Sequence, residues 1–282
     1  MKATTPPDFA SLDVMLECLD LEALDADLYL GDPGPGQGRL FGGMVAAQSV
    51  MAACRTVSPD RELHSLHAYF LHPGRHDAPL RFVVDRIRDG RTYTTRRVKA
   101  HQAGEAIFSL ETSFARAEEG ISHGEAMPEA PPPEDCEDWE IMRARLSGDA
   151  YPEPRDGPLE VRVASAIDED AEPRQQMWIR MAGDLPEDPR IHTAMLVYLS
   201  DRGLLSSLIR RHVSRFGVHM GASLDHALWI HQAPRFEGWV LYDCVSPASQ
   251  GGRGICMGGV WDPRSGSRIA TVVQEGLMRL LR

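Results

Sequence analysis

Asp201 lies in a segment, Ile191 to Leu208, marked by Met195, Leu196, Leu199 and Leu204. A carboxylate carried into a core on such a helix loses water, so its pKa rises unless a partner compensates. Groups of that kind collect at functional sites. The competing reading is that Arg202 begins an exposed face and Asp201 caps the helix or points outward. Gln274 interrupts the otherwise apolar strand Ala270–Thr271–Val272–Val273–Gln274–Glu275–Gly276. A buried amide needs partners and can hold a water or a carbonyl, whereas near a strand end it would simply face solvent. Ser223, Asp225 and His226 suggest a local nucleophilic triad. Alternation along a strand separates them, with Ser223 and Asp225 on one face and His226 on the other, and the Gly-x-Ser-x-Gly elbow of serine hydrolases is missing. The triad is rejected. His64, His67, His72 and His76 crowd one strand and its turn, but no second ligand motif accompanies them, so no metal site is expected. Arg88, Arg91, Arg96, Arg97 and Lys99 form the best anion patch of the chain, or else a solvated strand face.

The elements that carry these residues occur twice. Leu66–His67–Ala68–Tyr69–Phe70–Leu71–His72 is echoed 159 positions later by Asp225–His226–Ala227–Leu228–Trp229–Ile230–His231, while Gly90–Arg91 and Ile107 are echoed 162 positions later. Two copies at so long a period indicate a duplicated domain. The recurrence of His67 and His226 suggests a packing or hydrogen-bonding role in both copies. Residues 12–28 look like a helix or a helical turn and a half, and Asp32 to Gly38 (DPGPGQG) is a loop. Gly43 to Ala53 (GMVAAQSVMAA) is small and apolar on every side, as a helix buried all round would be. Extended runs follow at 63–71, 80–87, 92–100 and 105–115, suggesting an antiparallel meander curled about that helix. The second copy repeats this with a strand at 176–181, the helix 191–208, and strands at 222–231, 237–245, 253–261 and 267–278. The expected organisation is a repeat over 1–116, an acidic Pro-rich linker over 117–158, and a second repeat over 159–282 carrying most of the candidate residues. The linker has nine acidic residues and no Lys or Arg between Glu118 and Glu140, and a short surface helix is expected near Asp135 to Leu146.

Bulk properties narrow the function classes. The chain has 282 residues and a formal net charge of −11, which argues against a nucleic-acid or anionic-membrane surface. It leaves room for an anionic small ligand. The five cysteines are scattered and lack metal or redox spacing; reduced thiols and a cytoplasmic location are expected. Neither a signal peptide nor an apolar run of membrane-spanning length is visible.

Six segments, in order, resemble acyl-CoA thioesterase II, the double-hotdog thioesterase family, over about Tyr29 to Arg279. They are Leu40–Phe41–Gly42–Gly43, His67 to Gly74, Arg88–Asp89–Gly90–Arg91, Tyr198–Leu199–Ser200–Asp201, Leu224 to His231, and Val273 to Arg279. The resemblance implies an α+β double hotdog: two tandem hotdog repeats, each an antiparallel sheet wrapped round a long central helix. It places the family's catalytic aspartate on Asp201 and its glutamine on Gln274, with Ser223 where the family usually has threonine. Arg202 replaces an expected neutral residue and raises the question of a salt bridge to Asp201. The implied activity is hydrolysis of fatty acyl-CoA to free acid and CoA by an activated water, with no cofactor, metal or covalent intermediate. A helix N-terminus at Gly42 and Gly43 would offer N–H groups to the thioester carbonyl, and Arg91 and Arg97 are the first candidates for the CoA phosphates. A homodimer or larger homo-oligomer is expected. The alternatives are a hotdog acyl-CoA dehydratase or hydratase, a non-catalytic acyl-CoA binder, and a purely structural duplicated domain.

Overall fold

The computed structural model describes residues 11–147, 157–164, 173–210 and 219–280. Two helices form its centre. In α2 (Gly42–Cys54) every residue from Gly43 to Ala53 is buried, as its uniformly small and apolar sequence dictates. Of its two polar members, Gln48 donates to the carbonyls of Cys18 and Asp32, both at 2.8 Å, and Ser49 donates to Val45 O at 2.7 Å. The second helix, α4 (Pro189–Ser200), is started by an Asp188 N-cap with proline in its first turn, and it buries Ala194 to Ser200. The pair runs antiparallel and close. The Phe41 ring meets Tyr198 edge-on at 5.1 Å, and a Cβ on Gly43 would stand 2.7 Å from the Tyr198 carbonyl.

Around the helices runs one antiparallel sheet. Its first half comprises β1 (Glu22–Asp25), β2 (Leu28–Gly31), β3 (Glu62–Phe70), β4 (Leu80–Asp89), β5 (Tyr93–Gln102) and β6 (Glu105–Ala115). Its second half comprises β7 (Glu137–Asp138), β8 (Leu159–Val163), β9 (Arg174–Met181), β10 (His219–Ser223), β11 (Asp225–Ile230), β12 (Val240–Gln250), β13 (Arg253–Asp262) and β14 (Ser267–Leu280). The spatial order is β1-β2-β4-β5-β6-β3-β11-β14-β13-β12-β9-β8-β7, with β10 also on β14. The order β4-β5-β6-β3 on one side mirrors β12-β13-β14-β11 on the other. The halves join where β3 pairs with β11, His67 opposite Ala227 and His226 opposite Ala68. This is the arrangement the double-hotdog resemblance implies.

Three local expectations are corrected. Residues 12–28 are not one helix: α1 spans Leu12–Leu19 under a Ser11 cap. The chain then turns through Asp27, at φ 60°, between β1 and β2. The helix expected over 191–208 ends at Ser200, with Asp201 as its C-cap. Gly203 at φ 74° then turns the backbone away before the short α5 (Ser206–Arg210) begins. The strand expected over 222–231 is interrupted at Leu224, which lies between β10 and β11.

The segment between the halves crosses the outer face of the second half's sheet. Trp178 donates its indole N–H to Pro131 O at 2.7 Å, Gln176 reaches Glu129 O, and Met127, Ala130 and Cys136 pack on Trp178, Leu241 and Trp261. The surface helix expected there is α3 (Trp139–Ser147). No helix among the described residues is long and apolar enough to cross a membrane.

Candidate active site

The start of α2 and the end of α4 meet at one end of the helix pair, beside β10, β11 and β14. Asp201 is half-buried there. Loss of water pushes its carboxyl up from the usual aspartate range; His226 opposes the shift, as do hydrogen bonds from the Gly43 N–H and the Gln274 and Ser223 side chains. Two glycines allow the approach. A Cβ on Gly42 would lie 2.5 Å from the Phe70 ring and 3.0 Å from Asp201 Oδ2. The Gly43 N–H, one of the first-turn donors that a helix leaves without an internal partner, is directed at the carboxylate. The positive end of the α2 dipole acts in the same sense.

A directed chain of hydrogen bonds runs into Asp201. Gln274, with no solvent exposure, donates through Nε2 to Ser223 Oγ at 2.5 Å, and the Ser223 hydroxyl donates onward to Asp201 Oδ1 at 3.5 Å. Behind Gln274 stands His226, 2 % exposed. Its Nδ1 is 2.6 Å from Gln274 Oε1 and its Nε2 is 2.9 Å from Ser200 Oγ. Tyr242 completes the wall, its hydroxyl donating to Ser200 O at 2.6 Å.

Asp201, Ser223, Gln274, Gly42 and Gly43 are thus brought together. His226 was missed as a neighbour of this group, and the reason is the break at Leu224. Ser223 pairs with Gly276 in one register and Ala227 with Val273 in a register shifted by one. The interruption cancels one step of alternation, so Ser223 and His226 face the same site. The matched roles expected for His67 and His226 are also corrected. His67 is exposed, edge-on to Trp229 at 5.2 Å, while His226 is interior. The corresponding irregularity in β3 falls at His64, between Leu63 and Ser65. His64 therefore matches Leu224, and the structural offset on this strand is one residue longer than the sequence echo suggested.

The remaining expectations lie elsewhere. Arg97 forms an ion pair with Glu111 on the exposed sheet face. Arg91 sits in the β4–β5 turn, where its carbonyl, with those of Gly90 and Thr92, accepts from Arg61. Arg61 lines a cleft with Cys54, at the opposite end of α2 from Gly42. Arg202 pairs with Glu140 of α3 at 3.2 Å rather than with Asp201. No cluster of metal ligands exists among the described residues.

Paired helices inside a wrapped sheet, with a carboxylate, a hydroxyl and an amide gathered at one end, define the class, a double-hotdog enzyme. The family model described as acyl-CoA thioesterase matches residues 158–277, and that described as acyl-CoA thioesterase N-terminal domain matches 31–115. The chain is 37% identical to acyl-coenzyme A thioesterase 8 of Mus musculus, covering 93% of this chain and 88% of that protein. It is 39% identical to a crystal structure of an acyl-CoA thioesterase II from Mycobacterium marinum, with TM-score 0.79 and coverage of 94% and 98% of the two chains. A hot dog fold protein of unknown function from Alicyclobacillus acidocaldarius, 22% identical at TM-score 0.77 over 95% and 98% of the chains, shares the fold. The chain belongs to the acyl-CoA thioesterase II family, whose members are thioester hydrolases.

Proposed function

We propose that this protein hydrolyses fatty acyl-CoA to free fatty acid and CoA, with Asp201 as general base and Ser223 and Gln274 fixing the attacking water. The observation that carries this reading is the directed chain from Gln274 through Ser223 to Asp201. A carboxylate whose proton affinity is raised by burial is a better base than one in water. The Ser223 and Gln274 groups hold the geometry in which the water attacks. Proton transfer from water to Asp201 accompanies formation of the new C–O bond, and the C–S bond then breaks to release a thiolate. A free thiol's pKa of about 8.5 makes that departure easy. The N–H of Gly42, beside the one committed to Asp201, is the proposed donor to the carbonyl oxygen. The dehydratase reading needs a histidine working against a carboxylate, whereas His226 contacts Gln274 and Ser200.

The same proposal treats 1–116 and 159–282 as the two repeats, with 117–158 joining them, and places the protein in the cytoplasm, as its five unpaired cysteines suit. It includes self-association through the outer sheet face, where Tyr69, Trp229 and Met257 are exposed; sedimentation giving a monomer at all concentrations would remove that part. The primary test is release of free thiol from acyl-CoAs of short to long chain, wild type against Asp201→Asn. Release that disappears in the variant supports the reading. A folded wild type that releases none from any of them overturns it.

A further inference from the structure

His226 lies one step behind the groups that would touch substrate, and each of its ring nitrogens has a polar neighbour within hydrogen-bond distance. Gln274 Nε2 donates to Ser223 Oγ at 2.5 Å, so its Oε1 is the atom 2.6 Å from His226 Nδ1. An amide oxygen has no hydrogen to give, so Nδ1 must carry the proton of this bond. The opposite tautomer would press two lone pairs together inside a site with almost no exposure. The other ring nitrogen is held at 2.9 Å by Ser200 Oγ, whose hydroxyl also has Val197 O at 2.8 Å; in a neutral ring with Nδ1 protonated, that hydroxyl turns to donate to Nε2.

A glutamine amide is nearly symmetric in shape and can turn over. Turned over, it would present oxygen to Ser223, the serine hydroxyl would donate to that oxygen, and Asp201 would lose its side-chain donors and keep the Gly43 N–H. We propose that His226 is a positioning residue for thioester hydrolysis: its Nδ1–H locks the Gln274 amide with the donor end toward Ser223 and Asp201. This rests on the thioesterase reading for its consequence, though not for its geometry.

The first half of the molecule supplies the counter-example. The irregularity at His64 matches that at Leu224, so Leu66 occupies the place of His226, and it stands opposite Thr112. Thr112 in turn pairs with Arg96 as Gln274 pairs with Cys256. Where the amide is absent, the imidazole is absent too. The buried Leu66 also demonstrates that leucine suits this strand position.

The test measures acyl-CoA thiol release for wild type, His226→Leu, His226→Asn, Gln274→Ala and the double variant His226→Leu/Gln274→Ala. Asparagine keeps an N–H donor near Nδ1 and leucine does not. The expected result is a loss in kcat of about 30-fold or more for His226→Leu with KM within about 2-fold, as misorientation at a reacting centre produces. His226→Asn should recover most of that loss. In the Gln274→Ala background the leucine change should cost less than about 2-fold, because residues acting through one another are not additive. Equal losses in both backgrounds, a change confined to KM, or no difference between Leu and Asn would overturn the proposal. Nitrogen-15 NMR of the imidazole gives a readout independent of activity. A protonated Nδ1 in wild type that shifts in Gln274→Ala is expected, and a neutral ring protonated only at Nε2 overturns the assignment even if no acyl-CoA is hydrolysed.

Discussion

The two ends of the α2–α4 pair are built on one plan and hold opposite chemistry. At one end, α4 is capped by Asp201, and the strand positions around it carry Ser223, His226, Gln274 and Cys256. At the other, α2 is capped by Arg55, and the matching strand positions carry Leu63, Leu66, Thr112 and Arg96. Arg96 fills that end. It is 1 % exposed, donates to Thr56 Oγ1 and O and to Arg88 O, and is paired with Asp89. Thr112 turns its hydroxyl to Arg96 O at 3.1 Å. A cleft of about 490 Å³ lined by Val57, Leu63, Phe114 and Ile230 lies at that end, so it has space but not the carboxylate, amide and imidazole of the first end. The fold supplies a protected place at each end of a helix pair. On the proposed reading the chemistry rests on a few side chains at one end, while the other end holds a buried guanidinium in their place.

Substitutions can break or sharpen this contrast. The largest effect is expected from Asp201→Asn, which should lower kcat by about 10²–10⁴-fold, the range for a general base, as measured by thiol release. The same variant should be more stable than wild type at neutral pH. Asp201 has its native pKa raised above the unfolded value, so its favourable contribution is complete below the unfolded pKa and is lost as pH rises through the native one. Urea melts should therefore separate the two proteins at pH 7 and bring them together in acid. For the wild type, kcat/KM should fall on the acid side with a midpoint above the ordinary aspartate pKa of about 3.9.

Gln274→Thr gives the active end the residue of its twin and should reduce kcat by about 10²-fold, as loss of one aligned donor does. Ser223→Ala should cost about 10-fold, the scale of one hydrogen bond, whereas Ser223→Thr, which keeps the hydroxyl, should stay within about 3-fold. At the far end, Arg96→Met should leave kcat unchanged while lowering stability by about 2 kcal/mol, seen as a reduced urea midpoint. A loss of turnover there would mean that the two ends are coupled.

Much of this was legible beforehand because repetition and burial leave strong patterns. The small-residue run from Gly43 to Ala53 and the duplicated strand motifs gave the wrapped-helix arrangement, and the six family-like segments pointed to Asp201, Ser223 and Gln274. What escaped were features set by single backbone residues. Leu224 interrupts a strand whose side chains would otherwise alternate without fault, which hid His226 and made it look like a counterpart of His67. Gly203 ends a helix whose apolar spacing continues through Leu204 and Leu208. Charge in a sequence also carries no direction, so the places of Arg91, in a turn held by Arg61, and Arg97, ion-paired with Glu111, were not legible.

The joint between β3 and β11 also bears on how the chain is made. These strands supply each other's edge hydrogen bonds, so during synthesis β3 waits with a bare edge until β11 emerges, on the order of ten seconds at ordinary elongation rates. An uncovered edge invites pairing with any other strand of its kind, and at that moment the most similar one at hand belongs to a neighbouring nascent copy. The tether between the halves therefore has a use that precedes any substrate: it raises the local concentration of the correct strand above that of the wrong one.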